Sequence, residues 1–200
     1  MSQLPYHRQD LAGDLIQAAE DELEAKGSEG FSLRSVAKRA QVSHAAPAHH
    51  FGDRSGLLTA LAARGYERLI EFQARRRADA AKEQGEQSIA SGLGYIDFAT
   101  AHPALFRLMF SSELPDRSNP RFAAASRQAF DQLTEEIEQR TGKNPYTDPQ
   151  SMAELLASWG MVHGLAELIN SGRAEQPMDA AGLAGVERDE VLIRSLRKLL

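Results

Sequence analysis

Apolar residues in this chain recur at spacings of three and four, the period of one helix face. No stretch alternates convincingly at the period of two that a half-buried strand requires. Leu11, Leu15, Ala19 and Leu23 form one stripe that stops at Gly27. After Gly30, Ser32 is a good N-cap for a short helix over 32–40, with Leu33, Val36, Ala37 and Ala40 on one face. Ser43 is expected to cap a second short helix over 43–50, ending near Phe51 and Gly52. Asp53 caps a longer one with Leu58, Leu61, Gly65, Leu69 and Phe72 on one side, expected to run to Gly85. About 30 residues at 1.5 Å each make it about 45 Å long, enough to join two parts of a protein rigidly.

Later boundaries are set by proline in the first helical turn, where its missing N–H costs nothing. Pro103 after His102 opens a short apolar helix with Leu105, Phe106, Leu108, Met109 and Phe110. Pro120 after Asn119 opens one with Phe122, Ala129, Leu133 and Ile137 that closes at Gly142. Pro149 after Asp148 opens another that closes near Gly172, and the segment from Asp179 ends in a Leu192, Leu196 and Leu199 stripe. The fold expected is all-α, with roughly nine helices.

A chain of 200 residues with 42% hydrophobic and 26% charged side chains has the composition of a globular protein, and it has no cysteine. That excludes disulfides, thiolate metal sites and a cysteine nucleophile. No apolar run reaches membrane-spanning length and no leader is evident in residues 1–14, so a cytoplasmic protein without a membrane partner is expected. The net charge of −5 hides an uneven distribution: residues 1–30 carry a net −5, residues 31–77 a net +6, and residues 78–200 a net −6. Affinity for a polyanion follows the local field, and one basic block lies between two acidic ones.

Within that block the two short helices are separated by only two or three residues, which suits the steep crossing of a helix-turn-helix. The second, Ser43-His44-Ala45-Ala46-Pro47-Ala48-His49-His50, is small and polar and offers little to a core. Ser43 at the N-cap would leave backbone N–H groups for a phosphate. Arg34, Lys38, Arg39 and Arg54 flank the pair, and His44, His49 and His50 can donate to phosphates or base edges. The competing reading is a solvated surface with scattered basic residues.

The run Phe31-Ser32-Leu33-Arg34-Ser35-Val36-Ala37-Lys38-Arg39-Ala40-Gln41-Val42-Ser43, followed by His49-His50-Phe51-Gly52-Asp53-Arg54-Ser55-Gly56-Leu57-Leu58, resembles the DNA-binding domain of TetR-type transcriptional regulators. The resemblance implies a DNA-binding domain over residues 1–53, with Ser32, Arg34, Ser43, His44, Ala45, Ala48, His49, His50 and Arg54 as candidate DNA contacts. Two positions depart from the family pattern. Gln41 stands at the turn where the family usually has glycine, so a left-handed backbone there would be strained. Ala48 stands where the family usually has a phosphate-touching tyrosine.

Trp159-Gly160-Met161-Val162-His163-Gly164, with the upstream stretch from His102 to Phe110, is similar to the C-terminal domain of a TetR subgroup named for its Trp-His-Gly signature. In such regulators that domain, here residues 54–200, dimerises and encloses a small-molecule pocket. The resemblance thus implies a homodimeric, ligand-responsive repressor of a palindromic operator, with no cofactor and no enzymatic activity. Its recognition helices would be about 34 Å apart on successive major grooves.

Trp159 and His163, four apart, share a helix face. One reading makes them line a pocket with Phe98, His102, Phe106 and Met109; the other buries them in the core with His163 bonded to a carbonyl. Ala153, Ala157, Gly160 and Gly164 form a small-residue face that, with the terminal leucine stripe, suits a dimer interface. The alternative function is an all-α enzyme or carrier built on His102 or His163. Ser35-Val36-Ala37-Lys38 matches a penicillin-recognising S-x-x-K, but its companion motifs are absent. No metal set of the right spacing and no nucleotide-binding glycine motif occurs.

Overall fold

A computed structural model describes residues 10–180 and 188–199 of the chain. Residues 1–9 of the stretch read above for a leader, residues 181–187 of the segment from Asp179, and the Leu199 side chain of the terminal stripe lie outside the described residues. The described residues form α1 (Leu11–Gly30), α2 (Leu33–Arg39), α3 (Ala46–Phe51), α4 (Arg54–Asp79), α5 (Gln84–Ala101), α6 (Pro103–Phe110), α7 (Pro120–Thr141), α8 (Pro149–Asn170), α9 (Glu175–Ala180) and α10 (Arg188–Leu196), with a 3-10 turn at Arg197–Leu199. Among them there is no strand, as the apolar period requires.

Local chemistry explains most boundaries. The Asp10, Ser32, Asp53, Asn119 and Asp148 side chains each accept a backbone N–H at the start of α1, α2, α4, α7 and α8. Ser32 and Ser35 cap one another's N–H groups reciprocally. Gly142 ends α7 in the left-handed conformation at φ 72°. Gly27, at φ 67°, breaks α1 where its apolar stripe stops.

Two boundaries differ from expectation. α3 begins at Ala46, three residues later than the sequence suggests, and Ser43 is not its N-cap. The chain turns over residues 43–45, the Ser43 carbonyl accepting the Ala46 N–H at 3.0 Å. Pro47 occupies the first helical turn, where it needs no acceptor. α4 ends at Asp79 after 26 residues instead of continuing to Gly85. No proline or glycine marks that stop. The Gln87 side-chain amide on α5 donates to the carbonyls of Arg77, Ala80 and Ala81, satisfying the α4 terminus from outside and folding the chain back.

The reversal lays α5 along α4. A Cβ on Gly94 would lie 2.5 Å from the Gln73 Cα, so only glycine permits that approach. One apolar core then runs without a break from Leu15 and Val36, through Leu57, Leu61 and Leu69, to Phe98, Phe106 and Phe122. A second cluster joins Ile89, Leu93 and Ile96 of α5 to Leu192 and Leu196 of α10. Leu192 and Leu196 thus pack inside their own chain and are not free for a dimer surface. The small-residue face of α8 stays open: added Cβ atoms at Gly160 and Gly164 meet nothing within 4 Å, and Leu156 and Leu168 are 54% and 45% exposed.

Gln41 ends α2 at φ 56°, the one non-glycine residue with positive φ among those described. Val42 N–H closes back on the Ala37 carbonyl at 3.0 Å, so the turn is held although glutamine suits it poorly. Gln41→Gly should therefore raise stability by about 1 kcal/mol, read as a rise of a few degrees in Tm by calorimetry. Nearby, Glu22 is buried and paired with Lys26 and Arg39, joining α1 to α2. The Lys26 ammonium, against the opposing effect of burial, holds its carboxyl down at about 2 from an ordinary 4.5. Its folded pKa lies below the unfolded one, so its stabilisation is complete above the ordinary value and lost as pH falls from there toward 2. Glu22→Gln should flatten that acid limb in a pH series of thermal melts.

Candidate functional site

α2 and α3 bring the basic block to one surface. Pro47 faces inward, while Ser43, His44, Ala45, Ala48, His49 and His50 are all exposed. No hydrogen bond within the described residues engages the three imidazoles, and His49 meets His50 edge-on at 5.5 Å. α3 is seated through buried Pro47 and half-buried Phe51 and shows Ala48, His49 and His50 to solvent. Ser32 is exposed beside it, its hydroxyl engaged in the α2 cap.

The flanking cations divide into two kinds. Arg34 and Lys38 are exposed, with no side-chain partner among the described residues. Arg39 is drawn to buried Glu22, with Nε 3.0 Å from its oxygen. Arg54 is half-buried and turned back across the domain, donating from Nε to the Phe31 carbonyl at 3.2 Å and from Nη2 to the Ser28 carbonyl. The sequence reading of Arg54 as a simple phosphate contact thus needs correction: its guanidinium first ties the end of α1 to the start of α4.

A second feature lies in the carboxy-terminal half, a cavity of about 840 Å³ between α4, α5, α7 and α8. That is the size of a site for a small molecule. Trp159 and His163 line it, as the pocket reading expects. His163 Nδ1 is 2.9 Å from the Tyr95 hydroxyl, so its partner is a phenol and not a carbonyl. Burial pushes the Tyr95 phenol well up from 10, leaving it a neutral donor.

The other four expected pocket residues lie elsewhere. Phe98, Phe106 and Met109 are fully buried behind the wall, Phe106 stacking near His163 at 5.1 Å. His102 faces α1, its Nδ1 3.0 Å from a Glu20 oxygen. The rings that do line the cavity with Trp159 are Tyr66, Tyr95, Phe110, Phe122 and Phe130. Phe110 and Phe122 had been legible only as apolar helix faces, and periodicity does not distinguish a ring facing a cavity from one in a core.

α1 connects the two features. Both Glu24 oxygens accept backbone N–H groups at the start of α6, from Ala104 and Leu105, each at 3.0 Å. Glu20, buried, takes Arg68 of α4 as well as His102. A carboxylate at a helix N-terminus meets both its free N–H groups and the positive end of its dipole. α6 in turn presents Phe110 to the cavity.

Residues 15–61 match the family model for bacterial regulatory proteins of the tetR family, and residues 89–188 match that of the tetracyclin repressor-like C-terminal domain. The chain is 29% identical over 113 residues to the HTH-type transcriptional regulator BetI of Stenotrophomonas maltophilia (strain R551-3). That match covers 56% of this chain and 58% of the relative, little more than half its length. Among solved structures, a protein of unknown function from Rhodococcus sp. RHA1 shares 30% identity at a TM-score of 0.78, covering 98% of this chain and 97% of that one. A TetR-like transcriptional regulator from Rhodococcus sp. RHA1 has the same fold at 17% identity and a TM-score of 0.64, with 98% of this chain and 96% of that one covered.

Two substitutions separate architecture from contact. Arg54→Ala should lower stability by about 1–3 kcal/mol, because two half-buried carbonyls lose a charged donor. His49→Ala should leave the denaturation midpoint within about 0.5 kcal/mol of wild type, as an exposed position does. Paired urea titrations measure both.

Proposed function

The chain belongs to the TetR family of transcriptional regulators, and from that premise we propose that it is a homodimeric repressor of a palindromic operator, released by a small molecule. The family's members are ligand-responsive DNA-binding regulators. The observation that carries the reading for this chain is the outer face of α3, where Ala48, His49 and His50 stand in solvent beside unpartnered Arg34 and Lys38.

His44, Ala45, Ala48, His49 and His50 would meet base edges and sugars in a major groove, while Ser32, Arg34, Ser43 and Lys38 hold the phosphates. Arg54 adds its remaining guanidinium protons only as a secondary phosphate contact. Without an aromatic side chain at Ala48, more of the affinity falls on the cations. The open face of α8, with Ala153, Ala157, Gly160 and Gly164, is the surface offered to a second protomer. The Trp159 and His163 positions in the cavity wall support placing residues 54–200 with the Trp-His-Gly subgroup. The reading places the protein's work in the cytoplasm, where its operator would be.

Release follows from how the halves are tied. A ligand wedged against Phe110 and Tyr66 pushes on α6 and α4, and both are bound to α1 through Glu24 and Glu20. Moving α1 moves α2 and α3 with it, changing the distance between the two recognition helices. The ligand then favours the protomer arrangement that no longer fits two successive grooves.

Selection of bound duplexes from a random library tests this directly. The expected result is an enriched palindrome with half-sites about one helical turn apart. His44→Ala or His49→Ala should change the enriched sequence. Arg34→Ala or Lys38→Ala should weaken all duplexes alike and reduce the salt slope by about one. Absence of both enrichment and salt dependence sinks the proposal and returns the cavity to a carrier or enzyme.

A further inference from the structure

Taking the cavity as the effector site of the reading above, we propose that its ligand is an elongated organic acid, a hydrocarbon or aryl-alkyl chain ending in a carboxylate. The walls supply the first half of the argument. Along α4 the lining runs from Tyr66 to Arg77, eleven residues and so about 16 Å of helix. Aromatic rings from α4 through α8 face that length, which suits an extended apolar body.

Charge supplies the second half. Four arginines line the cavity, Arg77, Arg117, Arg127 and Arg140, against one carboxylate, Glu136. Three of the four, Arg117, Arg127 and Arg140, lie in residues 78–200, whose net charge is −6, so the local excess runs against the balance of that region. Two of the four are already engaged: Arg140 pairs with Glu154 at 3.2 Å, and Arg117 donates to the Ser112 carbonyl at 3.4 Å. Arg77 and Arg127 have no side-chain hydrogen bond or ion pair among the described residues. Arg77 is half-buried in the cavity wall, and its guanidinium is free to close on an incoming anion. Its planar fork matches a carboxylate with two parallel hydrogen bonds. Arg127 is exposed at the rim and adds attraction without closing on the ligand.

An aromatic cavity by itself would equally suit a quaternary ammonium cation, which binds ring faces. The uncompensated guanidinium groups oppose that occupant and favour its anionic counterpart. Arg77 is the anchor, the rings take the chain, and the Tyr95 hydroxyl, bonded to His163, gives the wall a polar point beside the rings.

Trp159 is the chain's one tryptophan and lines the cavity, so its emission reports occupancy of the full-length protein. The probes are three ligands of one chain length, all below micelle concentration: decanoate, decanol and decyltrimethylammonium. Decanoate should change Trp159 emission and raise Tm, binding at least about tenfold more tightly than either of the others. Arg77→Met should weaken decanoate about tenfold and leave decanol unchanged, with Arg127→Met giving a smaller, salt-sensitive loss. Equal or tighter binding of the cation overturns the proposal. So does failure of decanoate to bind, or an Arg77→Met variant that weakens acid and alcohol alike. Retention of selected DNA is scored separately: decanoate that binds but leaves the DNA complex intact supports the ligand class and counts against ligand-controlled release.

Discussion

Three carboxylates within five residues of α1, Glu20, Glu22 and Glu24, hold this molecule together. Between them they reach α2, α4 and α6. Glu22 pairs with Arg39 at the end of α2, Glu24 accepts the first N–H groups of α6, and Glu20 takes Arg68 of α4 and His102 at the start of α6. Two of them are nearly inaccessible to solvent, so an unpaired carboxylate there would be expensive. The helix that carries them is consequently neither a free part of the amino-terminal module nor a passive strut.

That arrangement leaves no break in packing near residue 53. The apolar core crosses it, with Leu15 and Val36 in the same cluster as Phe106 and Phe122. A displacement at α6 cannot be absorbed in a soft linker, because close-packed cores transmit strain and ion pairs at α1 add directionality. The cavity is lined by residues of the same α4 and α6, Tyr66, Leu69 and Phe110 among them.

The local structure of the amino-terminal helices was largely legible because it is built from local rules. Ser32 and Asp53 as caps, Pro47 in the first turn and the left-handed strain at Gln41 all involve groups within a few residues of one another. Ser43 was misplaced as a cap because a turn over 43–45 satisfies the Ala46 N–H by a backbone route that competes with its hydroxyl. The structural ties of Arg54 were missed for a different reason. Its partners, the Ser28 and Phe31 carbonyls, are more than twenty residues away, and nothing local signals them.

By itself the sequence determined that the chain is helical, where most helices begin and end, and that a basic helix pair, the second poor in apolar residues, lies near its start. Those properties follow from apolar period, cap chemistry and proline, all of which act over one or two turns. The tertiary structure alone decided that Gln87 ends α4 at Asp79, and that Leu192 and Leu196 serve their own core. It also decided that Phe110 and Phe130 face a void while Phe98 and Phe106 fill an interior. An aromatic residue on a helix face has the same signature in either setting. Only the gap left between α4, α5, α7 and α8, fixed by how closely Gly94 lets two of them meet, separates wall from core.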